Sequence, residues 1–108
     1  MKHLNPDTVE RETGYRPQTT FFDDFSIADT FGEDAIRDTY KRAFDEWHTN
    51  KVYITELVMM LNWKIWEHHR AGDKAKALLY QELWEKADNW CLDNLKDDDL
   101  SYFLNTID

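Results

Sequence analysis

Residues 52–66, VYITELVMMLNWKIW, constrain the fold more than any other stretch of the chain. Eleven of these fifteen residues are apolar, and at the helical step of about 100° per residue they reach nearly every face of a helix. A helix that is apolar all round must be wrapped by neighbours. Thr55, Glu56, Asn62 and Lys64 interrupt the run, and a membrane span needs about 20 consecutive apolar residues. The stretch therefore reads as the central helix of a small helical domain, with no membrane partner expected.

The flanking segments supply the wrapping. Phe21, Phe22, Phe25 and Ala28 predict a first helix from about Thr20 to Phe31, capped by Thr19 or Thr20 and stopped by Gly32. Ile36, Tyr40, Ala43, Phe44 and Trp47 recur at steps of three and four and predict a second, from Glu33 to about Thr49. The central helix is read over residues 52–70, with Ile54, Leu57, Val58, Leu61 and Ile65 as its main stripe. Gly72 can end it and Asp73 can cap the next. That next helix runs from about Lys74 to Asn94, with Leu79, Leu83, Ala87, Trp90 and Cys91 as a stripe widened by Leu78, Tyr80 and Trp84. Asp97, Asp98 and Asp99 then open a last short helix carrying Leu100, Phe103, Leu104 and Ile107. Short connections favour neighbouring helices packed together. The expected class is all-α: a compact bundle of about four main helices around the central one.

Residues 1–18 read differently. Pro6, Gly14 and Pro17 punctuate a polar stretch in which only Leu4, Val9 and Tyr15 offer apolar anchors. A polar N-terminal arm over 1–18, with a turn of helix near Thr8 to Thr13, and one helical domain over 19–108 are expected. The start of the chain lacks the apolar core of a signal peptide. The single cysteine permits no internal disulfide, which fits a reducing compartment. A cytoplasmic location follows as an expectation.

The formal net charge is −9. The excess acid lies in residues 19–50 and 73–108, whereas residues 51–72 are slightly basic. There is no basic stripe, so direct nucleic-acid binding is not expected. The acid either solvates the surface or imitates nucleic acid toward a basic partner.

Chemistry is hard to place. His68 and His69 are adjacent, so they diverge around a helix, and the zinc-protease spacing of histidines is missing. Asp45-x-x-His48 is a single, aspartate-based half of a di-iron pattern. Glu67, His68, His69 and Arg70 read as the solvated end of the central helix, where imidazoles suit the dipole. Cys91 lies on an apolar stripe with acidic sequence neighbours, the setting of an inert thiol. Three glycines leave no phosphate loop. No catalytic, metal or cofactor residue is expected. The residues expected to meet a protein partner, or a second copy, are Trp63, Trp66, Asp38, Asp45, Asp97 and Asp98, because aromatic rings near a fold's edge favour interfaces.

The stretches FSIADTFGEDAIRDTYKRAFDEWHTN, VYITELVMMLNWKIWEHH and LYQELWEKADNW resemble small proteins of mobile elements, the conjugative transposons and prophages of gut bacteria. The resemblance covers residues 25–108 and implies only a setting, with no activity, cofactor or catalytic residue. The expected function is a non-enzymatic interaction module of a mobile element or phage. The alternative is an acidic DNA mimic that inhibits a host nucleic-acid-binding or defence protein.

Overall fold

A computed structural model of the chain describes residues 6–14 and 16–107. Its elements are α1 (Pro6–Thr13), α2 (Phe21–Phe31), α3 (Glu33–Trp47), α4 (Lys51–Arg70), α5 (Lys74–Asn94) and α6 (Asp97–Ile107). All the regular structure among the described residues is helical, as expected. No helix among them is long and apolar enough to cross a membrane.

The central helix occupies the place assigned to it. α4 packs chiefly on α5 and also touches α2, α3 and α6. Asn50 starts it: its side-chain oxygen accepts from the backbone N–H groups of Val52 and Tyr53, at 3.0 and 3.2 Å. Ile54, Leu57, Val58, Met60 and Leu61 are buried. Gly72 stops it in the left-handed region at φ +77°, where a side chain would be strained. Asp73 then caps α5 by accepting from the Lys76 N–H at 3.1 Å.

Two local expectations need correction. Thr20 occupies the N-cap of α2, yet its hydroxyl donates to Asp24 rather than accepting from the backbone. The neighbouring Thr19 hydroxyl accepts from the Phe21 N–H instead, at 3.3 Å. Leu78 does not widen the buried stripe of α5; it is exposed, while Ala77, Leu79 and Tyr80 around it are buried.

The interior of α4 also holds charge. Glu56 is buried, and its Oε1 accepts from the N–H groups of Gln18 and Thr19, at 2.9 and 2.8 Å, and from the Thr19 hydroxyl at 2.7 Å. The carboxylate thereby holds the chain just before α2, where helix N–H groups lack intrahelical acceptors. Upstream, Val9 of α1 is buried in the common core. Leu4 and Tyr15, the other two expected anchors, lie outside the described residues.

Glu56→Ala strips three donors of their acceptor in a buried setting, so it lowers stability by about 1–3 kcal/mol. Urea unfolding measures the loss, and amide hydrogen exchange should quicken at Gln18 and Thr19. Unchanged exchange there would refute the anchoring role.

Candidate protein interaction surface

Inside the fold a charged cluster joins three helices. α2 contributes Ser26 and Asp29, α4 contributes Lys64, Glu67 and His68, and α5 contributes Tyr80. The Lys64 ammonium donates to Ser26 Oγ at 3.1 Å, Asp29 Oδ2 at 3.0 Å and Glu67 Oε2 at 2.8 Å. His68 Nε2 donates to the same Asp29 oxygen at 3.0 Å. The Tyr80 hydroxyl donates to Asp29 Oδ1, and its ring stacks on the His68 imidazole with centroids 5.3 Å apart. Asp29 can only accept while ionised, which fixes the His68 proton on Nε2.

His68 therefore corrects an expectation. It is not part of a solvated helix end; its side chain is 1% exposed, as are those of Lys64 and Asp29. Only His69 and Arg70 of that end are exposed, with Glu67 between the two extremes. The residue four positions before His68 is Lys64, so both project toward α2 and meet one carboxylate.

The electrostatics follow from this crowding. Burial alone would push the Asp29 carboxyl up, but hydrogen bonds from His68 and Tyr80 and the Lys64 charge outweigh it and hold the group below its ordinary 3.8. Burial, reinforced by the Asp29 charge, pushes the Tyr80 hydroxyl far above its ordinary range and keeps it a donor. Ligand atoms of Asp29, Glu67 and His68 lie within 4.8 Å of one another, a spacing that would suit a cation. Lys64 already supplies the positive charge among them. A group this deeply buried fastens helices. Cys91 is likewise buried, and burial, with the Asp88 charge adding to it, pushes its thiol up to about 12, which keeps it protonated at neutral pH.

The accessible chemistry is apolar. Trp66 on α4 is 54% exposed and Leu78 on α5 is 66% exposed. Together with Ile65, Trp84, His69 and Lys74 they line a groove of about 510 Å³. None of its lining residues is acidic, in a chain with 22 carboxylate side chains. Trp63 sits one turn back and is half-buried, edge-on to Phe22 and under the Arg70 guanidinium. The two expected tryptophans thus divide: Trp66 lines the groove and Trp63 supports its edge of the fold.

The four expected aspartates stand elsewhere. Asp38 lines a second groove of about 690 Å³ between α2 and α3, where Asp24, Arg42 and Glu46 make the lining mixed in charge. Asp45 is exposed on α3, and Asp97 and Asp98 are exposed in the first turn of α6. Asp97 adopts φ +54°, a left-handed conformation that aspartate tolerates better than most residues. The structure does not gather these four with the tryptophans. Leu78 and His69 were missing from the expected surface; exposure of an apolar residue beside a buried stripe depends on which neighbour arrives, and spacing does not report that.

Because Asp29 is depressed in the folded state, its contribution to stability is complete above its ordinary 3.8 and is lost as pH falls below that value. Urea unfolding of Asp29→Asn should show a smaller loss of stability in that acid range than the parent chain. Asp29→Ala, which removes the carboxylate from a buried lysine and histidine, should cost about 3 kcal/mol at neutral pH. An unaltered acid limb in Asp29→Asn would contradict the assignment.

No family model, curated protein or solved structure matches the chain.

Proposed function

We propose that this chain is a non-enzymatic protein–protein interaction module, a cytoplasmic accessory protein of a bacterial mobile element or phage, and that its docking surface is the Trp66–Leu78 groove. The observation that carries the reading is the exposure of these two large apolar side chains in a lining free of carboxylates. Covering each apolar side chain of this size gains about 1.5–3 kcal/mol. Tryptophan is among the residues that most often dominate the binding energy of an interface. Lys74 on the rim favours a partner segment that is apolar at its centre and acidic at its flanks. A helix presenting two apolar anchors four residues apart fits such a groove.

The acidic-decoy reading draws on the exposed carboxylates. Four of these, Asp7, Glu10, Glu33 and Glu82, are bonded to Arg16 or Arg37 and so have part of their charge offset. The groove is therefore placed first.

A panel of synthetic amphipathic helical peptides, each with two apolar anchors four apart and with acidic, neutral or basic flanks, tests the proposal by isothermal titration. The acidic-flanked peptide should bind tightest, and Trp66→Ala should weaken it about tenfold, or about 1.4 kcal/mol. Absence of binding by any peptide, or binding indifferent to Trp66, would overturn it.

A further inference from the structure

A segment with the chemistry this groove selects is present in the chain itself. On α2, Ile27 is 58% exposed and Phe31 is 78% exposed. They are four residues apart and share one outward stripe. Asp23 lies four residues before Ile27, and Asp24 seven before Phe31, so both carboxylates border the same stripe; both are exposed. The opposite face of α2 is consumed by the core and by the Asp29 cluster. What α2 presents to solvent is therefore two apolar anchors with Asp23 and Asp24 beside them; Asp24, Ile27 and Phe31 form the α2 wall of the groove that Arg42 and Glu46 of α3 also line. What the α4–α5 groove presents is two apolar anchors, no carboxylate and Lys74.

We infer that the occupant of the groove is a second copy of this chain, whose α2 ridge of Ile27 and Phe31 seats on Trp66 and Leu78 with Asp23 and Asp24 toward Lys74. This rests on the docking role proposed above for the groove. Charge supports the pairing over the symmetric alternative. A groove laid on another groove would offer Lys74 no acid, since the lining has none, and a ridge on a ridge would put two acidic margins into one contact. With nine excess negative charges per copy, the chains repel one another overall, so a contact is favoured where one side carries no acid. The contact joins two different surfaces and is therefore heterologous; it closes into a ring or extends head to tail, each copy using its ridge on one neighbour and its groove on the other.

Complementation between two surface variants tests this in sedimentation experiments from micromolar to millimolar protein. Trp66→Glu disables the groove and leaves the ridge; Phe31→Glu does the reverse. Both positions are exposed, and circular dichroism checks that each variant folds. The parent chain should self-associate as concentration rises, and each variant alone should remain at its 13.0 kDa chain mass. The equimolar mixture should form a species of twice that mass, because one intact ridge and one intact groove meet. A mixture that stays monomeric overturns the proposal, as does self-association untouched by Phe31→Glu. A parent chain that is monomeric throughout overturns it too. If acidic-flanked peptides still bind Trp66 in that case, the groove remains a docking surface for another protein; if they do not, both readings fall.

Discussion

The contact on which the structure turns is the one between Lys64 and Asp29. Both side chains are 1% exposed, and their 3.0 Å ion pair joins the central helix to α2. Apolar burial drives the helices together but says little about register, since it is non-directional. An ammonium among three oxygens is directional. Sliding α2 by one turn along α4 would take the buried Asp29 away from Lys64, His68 and Tyr80 and leave Lys64 only Glu67 of its own helix, at a cost of several kcal/mol. His68 and Tyr80 complete the shell of Asp29, so the same carboxylate also registers α5. The ion pair thus selects among arrangements that the apolar residues by themselves would permit.

The surface is a consequence of this choice. Lys64 and His68 face α2, and that fixes the rotation of α4. Trp66, two positions from each, is turned out beside His69, with ring centroids 5.8 Å apart. Leu78, two positions before Tyr80, is turned out on α5 by the same rule. The groove between them exists because the polar cluster has used the inward directions. On α2, turning Ser26 and Asp29 inward leaves Ile27 and Phe31 outward. Buried chemistry and exposed apolar surface are two results of one set of rotations.

A second buried carboxylate acts on the chain's beginning. Glu56 gathers the N–H groups of Gln18 and Thr19, so the segment leading into α2 is bonded to the central helix, while Val9 joins the core from α1. The described part of the N-terminal segment is thus tied to the bundle at two kinds of contact, one polar and one apolar. This fixes the start of α2, and with it the direction in which its outward stripe points.

How much of this was legible is clearest along α4. Its helical character, its end at Gly72 and the cap at Asp73 follow from local rules, since periodicity and backbone freedom are properties of a few neighbouring residues. In the sequence, Lys64 reads as an interruption and His68 as part of a solvated end. Yet Leu57, Leu61, Lys64 and His68 follow one another at steps of four, three and four, so the buried stripe continues straight through two ionisable residues. That spacing was visible; its meaning was not, because a lysine on a buried stripe is tolerable only if a carboxylate arrives from another helix. Asp29 lies 35 residues away, and nothing local pairs them. By itself the sequence determined an all-helical chain organised on one apolar rod. Only the tertiary structure decided which charges are sealed inside and which large apolar side chains, Trp66, Leu78, Ile27 and Phe31, are left facing water, because burial is set by contacts between residues far apart in the chain.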